Sequence, residues 1–238
     1  MVGRTEMEKK KGVSGVRAFG IANILVLALL ITSVMPVSNS AASDAQALVD
    51  KATITFNSFM RDKNYTWLHR HLKDAKGLLI YPQVLKAGFI LGGSGGTGVL
   101  VVREKGDWSQ PAFYTIGSVT FGLQIGGEAA EVIVMAMSQK AIDSLLASSF
   151  KFGGDTSIAL GPVGAGAKGN ITADFISFTK SKGAYAGINL EGAVVDVRDS
   201  LNKEYYGRDV RPADIVVKNE VSNKGSAKLR AAVQKTAK

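Results

Sequence analysis

Few side chains in this sequence are spaced for chemistry, and the clearest candidate is built from glycine. Gly93-Ser94-Gly95-Gly96-Thr97-Gly98 satisfies the G-x-G-x-x-G spacing of a dinucleotide-binding turn. That turn works only between a strand and a helix, because the helix N-terminus must meet the pyrophosphate. The residues that follow are VLVVREKGDW, strand-like and then a turn. No nucleotide site is read from them, and the glycines are expected in a hairpin connection instead. No G-K-[ST] run follows a glycine loop, so a P-loop is absent as well. His69 and His71 are the only histidines. On the helix that YTWLHRHLKDA predicts they stand about 200° apart and do not converge on one ligand; both read as solvent-facing. Glu128 with Glu131, and Asp196 with Asp199, are carboxylates three apart, read as ordinary surface charge. The chain has no cysteine, which excludes thiolate catalysis, disulfides and Cys-ligated zinc. Neither an enzyme, a cofactor nor a metal site is expected.

What must position any site is a chain of 238 residues, 46% of them hydrophobic. That suffices for one domain of ordinary size with appendages. Its 27 glycines and five prolines compare with a usual glycine share of about 7%. The excess, without any low-complexity run, points to tight backbone geometry. The N-terminus reads as an export signal over residues 1–42: a basic stretch to Arg17, an apolar run Ala18–Met35, then Pro36 and small residues. Cleavage is expected after Ala42 or Ser40. The alternative is an N-terminal membrane anchor, but the run of 18 falls short of the ~20 residues needed to span. Removing residues 1–42 takes away five basic and two acidic residues and leaves 24 against 18, a net charge of +6. Much of the excess sits in residues 221–238, which hold Lys224, Lys228, Arg230, Lys235 and Lys238 and no acid; they read as a solvated basic tail. A basic surface suits anionic lipid or nucleic acid, and export favours lipid over nucleic acid.

The rest, residues 43–238, reads as a single α+β domain. Ser43 caps an amphipathic helix whose Ala45, Leu48, Val49, Ala52, Phe56 and Phe59 recur at helical spacing. A shorter helix follows over Tyr65–Ala75. Strands are expected at Gly77–Tyr81, halted by Pro82, and at Ala87–Leu91, Val99–Arg103, Ala112–Ile125 and Glu131–Met137. After a helix over Gln139–Phe150 come strands at Thr156–Ala165, Ile171–Lys180 and Ala184–Val197, then short helical segments. Short connections make most pairings antiparallel. Glycines inside strands, such as Gly117, Gly122, Gly187 and Gly192, fit close backbone approach. The expected architecture is a glycine-rich, strongly coiled or barrel-like, mainly antiparallel sheet with N-terminal and central packing helices.

Five segments in order resemble the SYLF domain, also called the Ysc84 actin-binding domain. They are Gly77–Val102, Trp108–Gly126, Asp155–Gly164, Ile176–Gly192 and Asn202–Gly207, and the likeness spans roughly Leu48–Asp214. The resemblance implies a non-enzymatic lipid-binding module, with phosphoinositide binding in eukaryotic members and actin binding in fungal ones. For an exported chain only the lipid function carries over. The expected partner is an anionic phospholipid membrane, bound peripherally, with no nucleic acid and no nucleotide. The family's lipid-contacting part corresponds here to Leu48–Lys86. Within it Arg61, Lys63, Arg70, Lys73, Lys76 and Lys86 are candidates for headgroups, and Phe56 and Phe59 for the apolar contact. The competing expectation is a structural or protein-interaction module of the cell envelope.

Overall fold

The computed structural model describes residues 43–88, 91–121, 126–154, 156–181 and 188–237. The expected leader, with its cleavage points, lies outside them, as do Gly122–Ile125 and Gly187. The domain is mixed α+β: a strongly curled, mainly antiparallel half-barrel sheet with six helices among the described residues. The strands are β1 (Gly77–Gly88), β2 (Leu91–Glu104), β3 (Asp107–Trp108), β4 (Ala112–Phe121), β5 (Gly126–Ala136), β6 (Ser149–Lys151), β7 (Ile158–Leu160), β8 (Phe175–Ser181) and β9 (Val194–Val197). Their order is β6-β9-β4-β2-β1-β5-β8-β7, with β3 attached to β2. Among the described residues every strand pairing is antiparallel except β7 with β8.

The long strands β1, β2, β4 and β5 carry apolar residues on both faces, so the sheet divides two cores. Leu78, Ile80, Val99, Val101, Ile133, Met135 and Phe178 point to one side; Leu79, Tyr81, Leu100, Val102, Val132 and Val134 point to the other. The first core is closed by α1 (Asp44–Arg61), α2 (Thr66–His71), α4 (Asp199–Tyr206) and α6 (Ala227–Thr236); α3 (Gln139–Leu146) and α5 (Pro212–Val216) cover the second. Helix α1 starts where the Ser43 hydroxyl accepts the Gln46 N–H at 3.2 Å, a side-chain cap worth about 1 kcal/mol. Its stripe Ala45, Val49, Ala52, Phe56 and Phe59 is completely buried, each Phe contributing roughly 1.5–3 kcal/mol. Burial removes Phe56 and Phe59 from any contact with a membrane surface. The stripe docks on the sheet instead.

Several boundaries differ from the sequence reading for identifiable reasons. Pro82 does not halt β1. The strand runs on to Gly88 because the proline sits in a bulge, where the register shifts between Ile80 and Gln83 toward β2 and between Tyr81 and Val84 toward β5; a bulged residue needs no ladder N–H. Gly93–Gly98 are not a hairpin connection: all six lie inside β2, paired with β4 along their whole length. No helix follows them, since β2 continues to Glu104 and turns through Lys105 and Gly106 into β3. Helix α3 ends at Leu146, and Ser149–Lys151 form a strand on β9. The late strands are shorter than expected, at Ile158–Leu160, Phe175–Ser181 and Val194–Val197. The glycine placements also change. Gly117 has only the Ser94 carbonyl near a would-be Cβ, at 3.9 Å, and Gly192 takes a positive φ of 79° outside any strand. Close approaches are found instead at Gly77, Gly96, Gly98, Gly161 and Gly225.

The C-terminal residues are not a loose tail. Helix α6 buries Leu229 and Val233 against α1, and the Arg230 guanidinium donates to the Trp108 carbonyl at 2.8 Å. Among the described C-terminal residues, the faces carrying Lys224, Lys228 and Lys235 remain exposed.

A candidate anion-binding face

The segment joining α1 to β1 is built from short turns fixed by side chains. Asp62 accepts the Asn64 N–H at 3.0 Å and so starts the 3-10 turn Lys63–Tyr65. Its carboxylate also meets Lys180 Nζ at 3.0 Å. The Asn64 N–H, and then Lys180, hold Asp62 below the usual carboxylate range. The acid beside Lys63 is therefore engaged by a partner on β8. Tyr65 follows, its ring 4.6 Å from that of Phe59 and its hydroxyl donating to the Thr179 carbonyl at 2.7 Å. Burial pushes its phenol up to about 12.

Helix α2 then packs Trp67 and Leu68 inward and leaves Arg70 exposed. Four hydrogen bonds tie this segment to the loop 161–170, GPVGAGAKGN. Gly164 N–H donates to the Asn64 carbonyl at 2.8 Å, and the Thr66 hydroxyl to the Gly164 carbonyl at 3.4 Å. Trp67 Nε1 donates to the Gly169 carbonyl at 2.9 Å, and Arg70 Nη2 to the Ala167 carbonyl. The loop can fold back this way because Gly166 adopts a φ of 81°, a conformation costly for other residues. At the loop's start Gly161 lies flat on the buried Phe178 ring, where any Cβ would collide with Cε1, Cζ and Cδ1.

Between α2 and this loop lies an open cleft of about 600 Å³, lined by Trp67, Arg70, His71, Lys168, Gly169 and Asn170. Beside it Leu160 and Val163 are 59% and 58% exposed. The two histidines are not solvent-facing; both are half-buried. A carbonyl only accepts, so His69 Nε2 donates to the Phe59 carbonyl at 2.9 Å and His71 Nδ1 to the Trp67 carbonyl at 2.8 Å. His71 stacks on Trp67 with 3.8 Å between ring centroids and 15° between planes.

The predicted basic residues do not form one site. Arg61 ends α1, Lys63 opens the 3-10 turn and Arg70 lies on α2, all exposed. Lys73 and Lys76 follow on the exposed side of the next turn, where Arg103 donates to the Lys73 and Leu72 carbonyls and covers the Trp108 ring at 4.9 Å. Lys86 is ten residues farther along β1, roughly 30 Å away at the rise of a strand, and stands opposite Glu128 in the β1–β5 register. Sequence reasoning missed Lys168 and Asn170, which lie about 80 residues beyond Lys86. The available signal was a lysine in a glycine-rich loop without acids. Among the described residues no group of three or more His, Asp or Glu side chains could hold a metal ion. No described helix is long and apolar enough to cross a membrane.

Residues 117–236 match the family described as Ysc84, Las17-binding protein actin regulator. The human protein named SH3 domain-containing YSC84-like protein 1 is 33% identical over 148 residues, covering 60% of this chain and 43% of the relative. SH3 domain-containing protein PJ696.02 of Schizosaccharomyces pombe is 37% identical over 147 residues, 58% of this chain and 34% of its own length. Protein YSC84 of Saccharomyces cerevisiae is 36% identical over 145 residues, 57% and 31% respectively. The chain thus spans less than half the length of these curated relatives. No solved structure matches.

Proposed function

The chain belongs to the Ysc84 family, and from that premise we propose that it is a non-enzymatic module that binds anionic phospholipid at a membrane surface. One observation carries the reading. The loop 161–170 and α2 bring the exposed cations Lys63, Arg70 and Lys168 beside the exposed apolar residues Leu160 and Val163. Cations over headgroups with a small apolar contact are the two components of peripheral binding. The apolar part comes from this loop and not from α1, whose stripe is buried. Actin appears in the family description, and on this reading it is not the partner.

Sedimentation of the full-length chain with vesicles tests this. Phosphatidylglycerol vesicles should retain more protein than phosphatidylcholine vesicles, and the excess should fall with added salt. Each Lys or Arg near such a surface is worth about 1 kcal/mol. Reversing Lys63, Arg70 and Lys168 to Glu should weaken binding at low salt by at least about a hundredfold, while Lys86→Glu should leave it nearly unchanged. Equal retention on both vesicles, or pelleting with actin filaments alone, would overturn the reading.

A further inference from the structure

We infer that the open end of the half-barrel is a binding site for a neutral polyhydroxylated molecule, a soluble sugar or polyol. The inference stands apart from the membrane reading and uses none of its residues. The sheet curls far enough to bring its two ends together on the inner face. Phe152, just past β6, pairs with Thr156 and lies 5.0 Å from the Phe175 ring of β8, although β6 and β8 stand near opposite ends of the strand order. That contact closes one end of the half-barrel, and at the other end the inner face turns polar. Ser118, Ser94, Lys86 and Glu128 face one another in a single row across β4, β2, β1 and β5. Thr179 and Ser181 continue the polar lining on β8, opposite Val132 and Ala130. One row deeper, Val84 and Ile116 are buried and make an apolar floor. One row further out, Gly88 pairs with Gly92 and with Gly126, and glycines carry no side chain to close the mouth. A concave apolar base with a few convergent polar groups is the usual form of a small-ligand site, and barrel mouths are among the places where it occurs.

The polar atoms at this mouth lack partners. Among the described residues nine buried side-chain polar atoms have none, and Glu128 Oε1, Thr179 Oγ1 and Ser181 Oγ are three of them. A buried group left unpaired destabilises a fold, so three on two neighbouring strands mark a place where a ligand supplies the missing bonds. Lys86, though directly opposite, leaves Glu128 Oε1 without a hydrogen bond. Ser94 Oγ and Ser118 Oγ lie 2.7 Å apart and satisfy each other. One lysine and one glutamate cancel, so a ligand of either net charge gains little here. A carboxylate oxygen only accepts, an ammonium only donates, and a serine or threonine hydroxyl does both. Neighbouring hydroxyls of one ligand can therefore donate to Glu128 Oε1, accept from Lys86 Nζ and exchange bonds with Thr179 and Ser181. A sugar or polyol has that chemistry without net charge.

The experiment is calorimetric titration and thermal melting of the full-length chain, with glucose, galactose and sorbitol as probes and with glycine and inorganic phosphate as zwitterionic and anionic controls. At least one of the three probes should bind with a dissociation constant of about 1 mM or tighter and raise the melting temperature. Glu128→Gln should weaken that binding by about tenfold or more. The Thr179→Val/Ser181→Ala double variant should weaken it as much. Without ligand this double variant should melt above wild type by about 2 °C or more, because it removes two unpaired hydroxyls with little change of shape. Hydroxyls that only hold internal water respond the other way, so a double variant that melts below wild type would overturn the inference. Binding of none of the three probes would overturn it too, as would binding of glycine or phosphate in their place. Both variants should keep wild-type retention on phosphatidylglycerol vesicles. Loss of retention together with probe binding would assign the mouth to a lipid headgroup and also overturn the inference.

Discussion

Gly98 and Gly117 occupy adjacent central strands, and the fold assigns them opposite responses to the same added methyl group. Gly98 lies opposite the bulge in β1: Val99 pairs with Ile80 and Thr97 with Gln83, so Tyr81 and Pro82 together face one glycine. A Cβ there would come within 2.6 Å of Tyr81 Cδ1 and 2.9 Å of Cγ, and would press on the Ile80 carbonyl. The Tyr81 ring is fully buried and β2 is held by β4 at the same residue, so neither neighbour can yield cheaply. Overpacking of this kind costs about 1–3 kcal/mol. Replacing a strand glycine with alanine returns about 0.5–1 kcal/mol of backbone entropy. At Gly117 only that gain applies, because the nearest atom is 3.9 Å away. The expected outcome is that Gly98→Ala is the less stable of the two by about 1–3 kcal/mol. For a domain of this size that separates the melting temperatures by about 2–12 °C. Urea midpoints and calorimetry on both variants would measure it. If Gly98→Ala melts with or above Gly117→Ala, the bulge does not crowd β2 and the argument is wrong.

Three further outcomes are expected. Phe59→Ala should cost about 3–5 kcal/mol in urea unfolding, while vesicle affinity, measured where the variant is still folded, stays at the wild-type value. Asp174 is held below the usual carboxylate range by the Ser138 hydroxyl first and the Ser157 N–H second. Its contribution is therefore complete above the unfolded value of about 3.9 and is lost as pH falls through the lower folded value. Asp174→Asn should flatten the acid limb of a stability-against-pH curve, and an unchanged limb would refute this. Tyr65 works in the other direction. Its proton is held more tightly in the fold, with a pKa of about 12 against about 10 unfolded. Its contribution is whole below pH 10 and disappears between about 10 and 12, and absorbance titration of Tyr65→Phe against wild type should show one fewer high-pH phenol.

The sequence displayed the fold at the level of its repeating patterns. Helical spacing from Ala45 to Phe59 located α1, and the strand expected from Ala112 onward is β4. Boundaries were lost where a pairing partner decided the matter. Pro82 looks like a stop until two neighbouring strands absorb it as a bulge. Gly93–Gly98 look like a turn because glycine signals both a turn and a crowded strand centre, and only the pairing with β4 tells them apart. The candidate face was half legible for a similar reason. Arg70 was in view, but Lys168 and Asn170 reach it only through hydrogen bonds spanning about 100 residues, such as that from Trp67 to Gly169. A stripe of phenylalanines marks a helix face without saying what covers it.

Helix α1 and helix α6 lie in one apolar cluster, and the Gln46 side chain donates to the Gly225 carbonyl across 179 positions of sequence. The first and last helices of the domain are thus each other's packing partners. During synthesis the opening helix emerges long before the residues that cover it, so the domain cannot close until nearly its last turn has been made. Contacts that distant slow folding and prolong the exposure of apolar surface. The same arrangement sets the start of α6 beside the start of α1, while the far end of α6 reaches Arg103, whose guanidinium donates to the Ala237 carbonyl at 3.4 Å. A linker joining residue 237 back to residue 43 would have to run back along the ten residues of α6, about 15 Å.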